Sequence, residues 1–571
     1  MLRLQRSLFF VDLCALWLAS LIIFASSHSA SASTPSEFPV RLQDNGTVSI
    51  SAVAPSKELK VNAGDATADN VKFMGDVHAT GGVFVNGEPV ATNKNSMLIT
   101  DMPVCHEPGT DAMLGLPTGG FECDCLEGWS GPTCSEGGGG AATRLALGDA
   151  FTCRVLSNNK AKCWGNNGNG QLGYGDTIQR GDIPNTMGDN LPYVDVGTGR
   201  TVKQITAGSS HTCAILDDDK VKCWGSNHNG ELGYGDTNRR GDGPNEMGDN
   251  LPYVDVGTGR TVKQISAGSS YTCAILDNDK LKCWGSNYAG ALGIGDTMQR
   301  GDGPNEMGDN LPYVDVGTGR TVKQISVSGS HTCAILDDDK VKCWGYNYVG
   351  QLGYGDTTTR GDGPNEMGDN LPYVDVGTGR TVKQIEVSGG HTCAILDNDK
   401  LKCWGWSGGG ALGIGESSGT YPNYNNRGDG PNEMGDNLPY VDVGTGRTVK
   451  QISLDLHTCA ILDNDKVKCW GSNWEGGLGY GDKNDRGELP NSMGDSLPYV
   501  DLGTGRTAVA IGTASCPGSA HTCAILDNDA MKCWGGGSYN IGQLGYGDTQ
   551  FRGDGPNEMG DNLPYVDLGS V

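Results

Sequence analysis

The sequence predicts an all-β chain whose last three quarters form the blades of a propeller. Three observations carry this reading. From Arg144 to Val571 one unit recurs seven times, its first cysteine at 153, 213, 273, 333, 393, 459 and 523. Self-similarity on that scale marks an array of supersecondary units. Each unit holds four strand-like runs and no helical periodicity; in the second unit they are Val202–Ile205, Thr212–Leu216, Val221–Trp224 and Leu251–Val256. Glycine makes up 91 of 571 residues while aromatics are 7%, which favours turns and short strands over long helices. Four short strands per unit and seven units predict propeller blades. The last unit stops after Leu563–Val571, and Arg144–Leu147 occupies the slot of the strand that would follow. The two ends of the array are therefore expected to meet in or beside one blade, closing the ring and removing free edges.

The segments before the array read as accessories. Arg3 and Arg6 precede an apolar run, Leu8–Ala25, and Ala30-Ser31-Ala32 is a small-residue cleavage pattern, so residues 1–32 read as a signal peptide. An uncleaved anchor is the alternative, weakened by Asp12 inside the apolar run. With the signal removed no other stretch could span a bilayer, and the chain is expected to be secreted or at the cell surface. Twenty cysteines agree with an oxidising compartment. A net charge of −26 repels phosphate backbones and argues against nucleic acid as a partner. Residues 33–100 form a β-rich stalk or linker with short alternating runs at Thr47–Ser51 and Gly82–Gly87. The stretch GDVHATGGVFVNGEPV resembles stalk segments of trimeric fibre and adhesin proteins, which implies homo-oligomerisation; a linker that does not oligomerise is the equal alternative. Asn45 heads the one glycosylation sequon.

Residues 101–135 hold Cys105, Cys123, Cys125 and Cys134, with Gly-Trp-Ser-Gly before the last. This resembles the C-terminal half of an epidermal-growth-factor-like module. The resemblance implies bridges Cys105–Cys123 and Cys125–Cys134, the family's third bridge being absent. So small a unit needs such staples. Residues 136–143 then form a Gly-rich linker.

Each unit carries two cysteines ten positions apart: Cys153 and Cys163, Cys213 and Cys223, Cys273 and Cys283, Cys333 and Cys343, Cys393 and Cys403, Cys459 and Cys469, and Cys523 and Cys533. Folding the second unit into a hairpin with the loop Asp217-Asp218-Asp219 sets Cys213 opposite Cys223 in a non-hydrogen-bonded pair, where Cα atoms approach most closely. A cross-strand disulfide follows. Zinc spacing and Cys-x-x-Cys are both missing. The last loop position is left-handed in such hairpins, and Asp219, Asp279, Asp339, Asp399, Asp465, Asp529 and Asn159 stand there. Asp and Asn tolerate that region, so these acidic tips have a backbone explanation. Cys516, in an insertion of the seventh unit, has no obvious partner and is expected to stay unpaired or to link two chains.

The run HTCAIL…KVKCWGSNHNGELGYGD resembles the repeat of the regulator of chromosome condensation family. The resemblance covers residues 144–571 and implies a seven-bladed β-propeller. Paired cysteines in the hairpin resemble the secreted branch of that family. A nuclear exchange-factor role is opposed by the signal peptide and the charge. The plant UV-B photoreceptors of the family place a tryptophan two residues before His-Thr; here Asp149, Ser209, Ser269, Gly329, Gly389, Asp455 and Ser519 stand there. A secreted propeller that inhibits β-lactamases is a nearer analogue, since it works by surface binding; fold alone does not transfer its target.

No nucleophile–base pair, phosphate loop or zinc signature stands out, and the chain reads as non-enzymatic. His211, His331, His391, His457 and His521 share one repeat position with Phe151 and Tyr271, and read as packing within the blade. The long loop after Trp-Gly is where binding is expected. Asp236, Asp242, Glu246 and Asp249 in it could offer oxygen ligands to calcium; turn chemistry is the alternative. Arg-Gly-Asp recurs there six times, multiplied with the repeat. Among near-identical neighbours, the aromatic residues Tyr288, Tyr346, Tyr348, Trp406, Trp474 and Tyr539 vary from unit to unit and are candidate ligand contacts. The expected function is binding of an extracellular protein, or alternatively of a glycan as a calcium-assisted lectin, with no other cofactor.

Overall fold

The computed structural model of the chain describes residues 144–416, 425–514, 520–536 and 540–570, and the backbone of short strands at 419–420, 423–424 and within 40–137. The signal segment, Asn45, Cys105, Cys134, Cys516 and Tyr539 lie outside the described residues. The chain divides into two units, one holding the repeats in 142–571 and one within 26–141. In the smaller unit Val48–Ser51 runs antiparallel to Val40–Leu42 and parallel to Val71–Met74, and Val83–Val85 runs parallel to Leu59–Val61. Thr110–Gly115 pairs with Phe121–Cys125, the strand that carries Cys123 and Cys125. Glu136–Gly137, at the head of the Gly-rich run, pairs with Trp129–Ser130.

The repeats form seven three-stranded antiparallel sheets. Blade 1 consists of Leu145–Gly148, Phe151–Val155 and Ala161–Gly165, and blade 2 of Val202–Ala207, His211–Leu216 and Val221–Gly225. Blade 7 consists of Ala508–Ala514, His521–Leu526 and Met531–Gly535. We call these the inner, middle and outer strands, because each inner strand packs beside the next around the ring. That of blade 1 lies against those of blades 2 and 7. Polar side chains stitch neighbouring inner strands together: Gln204 Nε2 donates to Ile265 O at 2.9 Å and Ala267 N donates to Thr206 Oγ1 at 3.2 Å.

The expected fourth strand does not form. Leu251–Val256 is extended and buries Leu251, Val254 and Val256, yet its bond to the outer strand is a single one, Val254 N to Val221 O at 2.9 Å. Pro252 has no N–H to donate, and the alternate residues face solvent, so the run packs without building a ladder.

The hairpins form as the sequence implies. Cys213 pairs with Cys223 across the strands, and all seven bridges span a Cα–Cα distance of 4.1 Å. Among the described repeat residues no cysteine is free. The tip residues Asp219, Asp279, Asp339, Asp399, Asp465, Asp529 and Asn159 all have φ between 58° and 60°. The core lies between blades: the Cys153 and Cys163 pair of blade 1 packs in one cluster with Ile205, Ala214 and Trp224 of blade 2.

Ring closure uses the ordinary junction. Gly248 N of blade 2 donates to Asp195 O, which follows blade 1; Gly188 N of blade 1 donates to Asp567 O at the C-terminus, both at 3.0 Å. The ends of the array therefore meet between blades 7 and 1.

Candidate functional site

Strand alternation gives the ring two faces. The turns from inner to middle strand and the Trp-Gly ends of the outer strands share one, here the loop face. The hairpin tips and the starts of the inner strands share the other, the tip face.

Just behind the loop face a repeated relay joins neighbouring blades. Thr272 Oγ1 of blade 3 donates to Glu231 O of blade 2 at 2.9 Å, and Trp284 Nε1 donates to the same carbonyl at 3.1 Å. His211 Nε2 of blade 2 lies 3.0 Å from that Thr272 hydroxyl. The histidines thus act between blades, not within one, and the relay crosses the closure too, from His521 to Thr152 to Gln543 O. Tyr271 makes the same reach, its hydroxyl 3.0 Å from Thr332 Oγ1. Burial pushes His211, His331 and His391 down to about 3 and His457 to about 4, so all four rings are neutral at neutral pH. Gly233 of the Gly-x-Leu-Gly run must be glycine: its φ is +74°, and a Cβ there would lie 2.7 Å from Trp284 Nε1.

The long loop is mostly spent on this framework. Asp236 pairs with Arg240 at 2.8 Å, and Asn238 N donates to it. Glu246 accepts from Gly243 N at 2.8 Å, and Asp249 accepts from Thr198 N and Oγ1. Asp242 lies against blade 1, its backbone N 2.4 Å from where a Cβ on Gly170 would stand. The carboxylates of Asp236, Glu246 and Asp249 therefore serve separate neighbours. Among the described residues no group of three or more His, Cys, Asp or Glu side chains is placed to hold a metal ion. The Arg-Gly-Asp copies are built in as well: Arg240 N and O pair with Gly225, its guanidinium lies 5.4 Å from the Tyr234 ring, and Gly241 O accepts from Gly175 N of blade 1.

What remains variable and exposed on the loop face is aromatic. Tyr288 of blade 3 is 47% exposed and Tyr348 of blade 4 is 72% exposed, with the half-buried Tyr346 between them. Ring centroids lie 6.0 Å apart for Tyr288 and Tyr346 and 6.3 Å for Tyr346 and Tyr348, the latter stacked. Burial, then the two neighbouring tyrosines, raises the Tyr346 hydroxyl above its usual range. The fold thus joins three candidates separated by up to 60 residues. Trp406 is half-buried in blade 5, and Trp474 is exposed on blade 6.

Sequence reasoning missed the tip face. Tyr193, Tyr253, Tyr313, Tyr373, Tyr440, Tyr499 and Tyr565 occur once per unit, and read as part of a strand-like Leu-Pro-Tyr-Val run. In six blades each ring has two lysines about it, for example Lys220 at 4.9 Å and Lys222 at 5.0 Å from the Tyr253 centroid. The signal was present as a Lys-x-Lys pair in each outer strand, but nothing local ties it to a tyrosine some thirty residues on.

These features define a class: a disulfide-stapled, seven-bladed propeller with a repeated frame and a few unrepeated surface residues. Its repeats are of a known type. Residues 142–171, 202–231, 262–291, 322–351, 382–410 and 455–476 match the regulator of chromosome condensation (RCC1) repeat, and a second model of that repeat matches 163–215 and 218–275. The chain is 27% identical over 416 residues to the ultraviolet-B receptor UVR8 of Arabidopsis thaliana, covering 72% of this chain and 79% of that protein. It is 25% identical over 321 residues to the probable E3 ubiquitin-protein ligase HERC6 of Homo sapiens, covering 55% of this chain but only 28% of the ligase. Among solved structures it is similar to human WBSCR16, with a TM-score of 0.48, 18% identity, and coverage of 64% of this chain and 84% of that one.

Proposed function

We propose that this chain is an exported, non-enzymatic binding protein that recognises an extracellular or cell-surface protein through the loop face of its propeller. The observation that supports this is the Tyr288, Tyr346 and Tyr348 cluster: two exposed rings about a half-buried one, adjacent, and composed of residues that differ from blade to blade on an otherwise repeated frame. Tyrosines offer large contact area at low entropy cost. The net charge of −26 favours a neutral or cationic partner. Stacked, uncharged rings also suit sugar faces, so a glycan is the second reading, with calcium as a variable of the experiment. Self-association through the stalk or Cys516 would add multivalency.

The test uses the oxidised chain as bait on native surface extract in calcium, with elution by chelator, beside a Tyr288→Ala, Tyr346→Ala, Tyr348→Ala variant. A defined protein retained through the chelator step and lost with the variant supports protein recognition. Chelator-released glycoconjugates, equally lost, favour the lectin. Equal capture by both baits rules out this cluster as the site.

A further inference from the structure

The junction of blades 7 and 1 differs from the other six in a way that opens a cleft on the tip face. Six units carry lysine at the first outer-strand flank, at 160, 220, 280, 340, 400 and 466; blade 7 has Ala530. Six carry alanine in the middle strand, at 214, 274, 334, 394, 460 and 524; blade 1 has Arg154. The two departures face one cavity of about 380 Å3, lined also by Leu156, Asp529, Tyr565 and Asp567.

Each departure leaves a specific vacancy in bonding. In the other blades one lysine of the pair is buried and the second is exposed: Lys222 is 3% exposed, whereas the Lys220 side chain is 52% exposed, and both lie within 5.0 Å of the Tyr253 centroid. In blade 7 Ala530 carries no ammonium, and the buried partner, Lys532, lies 4.9 Å from the Tyr565 centroid. Tyr565 is correspondingly 48% exposed, against 37% for Tyr253 and 39% for Tyr313. At the other six junctions the tip carbonyl accepts from the backbone N–H of the next inner strand, as Asp219 O does from Val262 N at 2.9 Å. At this junction Arg154 Nη2 supplies that bond, donating to Asp529 O at 2.8 Å, and pairs with the Asp529 carboxylate. Arg154 is 3% exposed, and its buried Nε has no hydrogen-bond partner.

We propose that this cleft binds a ligand ammonium on the bare face of Tyr565, together with an acceptor oxygen on Arg154 Nε. The repeat itself displays the occupant: in six blades a lysine ammonium lies there, held by the ring's negative face. The unpaired buried donor adds the second requirement, since such a group is costly unless an acceptor meets it. A lysyl residue has both groups, ammonium and amide carbonyl; a simple amine has one. The site lies on the tip face and is independent of the tyrosine cluster on the loop face.

The experiment is ligand-observed NMR titration of the full oxidised chain with three probes: Nα-acetyl-lysine N-methylamide, the norleucine analogue that lacks the ammonium, and n-butylamine. The lysine derivative is expected to bind at least tenfold more tightly than butylamine, and the norleucine analogue not to bind. Ala530→Lys restores what six blades carry, so it should fold with an unchanged melting temperature and abolish binding by occupying the ring. Arg154→Ala should bring the lysine derivative down to the affinity of butylamine. Equal binding of the norleucine analogue, or undiminished binding by the Ala530→Lys chain, overturns the proposal; butylamine as tight as the lysine derivative overturns the part assigned to Arg154.

Discussion

Replacing Thr272 by valine should cost more than the same change at Thr212, although the two threonines occupy one repeat position. Both are fully buried, and both donate to a carbonyl that keeps a second donor in the following tryptophan: Trp284 for Glu231 O and Trp224 for Gln171 O. Thr272 also meets His211 Nε2 at 3.0 Å, and His211 Nδ1 has no partner of its own. Removing the hydroxyl would leave that ring with no hydrogen bond. The residue facing Thr212 is Phe151, which asks for none. One lost neutral hydrogen bond is worth about 1 kcal/mol, and a buried group left unsatisfied adds about 1–3 kcal/mol. Thr212→Val should therefore cost about 1 kcal/mol and Thr272→Val about 2–4 kcal/mol. Thr332→Val should lie near the lower value, because Tyr271 keeps its bond to His331 O at 2.8 Å. Urea unfolding of the oxidised chain, followed by tryptophan fluorescence, reads the series as shifts in midpoint. Equal shifts for Thr272→Val and Thr212→Val would refute the relay as an energetic link between blades.

The remaining predictions follow from the same geometry. Histidines held near 3 to 4 in the fold and near 6.5 when unfolded mean that the unfolded chain binds more protons below about pH 6.5. Stability should thus fall as pH drops from about 6.5 toward 3, and His211→Phe, which copies blade 1, should flatten the slope of melting temperature against pH. Gly233→Ala should destabilise by several kcal/mol through the Trp284 contact and its positive φ, while Gly259→Ala, at φ +70° with nothing within 4 Å, pays for strain alone, about 1 kcal/mol; melting curves of the two variants check the order. Removing one bridge as Cys213→Ala with Cys223→Ala should cost at most about 3 kcal/mol, the chain-entropy value for so short a loop, and leave the seven-bladed fold intact by circular dichroism.

The sequence by itself determined whatever is local. A ten-residue offset between cysteines, a three-residue loop and an Asp at its last position specify one hairpin register, because side-chain alternation admits no slip without turning every residue over. The positive φ at each tip and the facing cysteine pairs follow from that, and seven copies imply a ring. The run Leu251–Val256 does not reveal in sequence that it forms no fourth strand, because an apolar alternating run looks the same whether or not its backbone finds a ladder, and Pro252 weighs against one only once its neighbour is known. The tertiary structure decided what connects residues of different blades. That His211 meets Thr272, that Tyr288 meets Tyr346, and that Arg154 faces Ala530 across the closure depends on packing that brings together positions 58 or more residues apart. No local period encodes such contacts: each residue's own neighbourhood is nearly identical in every copy, and only the packing of one blade on the next distinguishes a frame position from a vacant one.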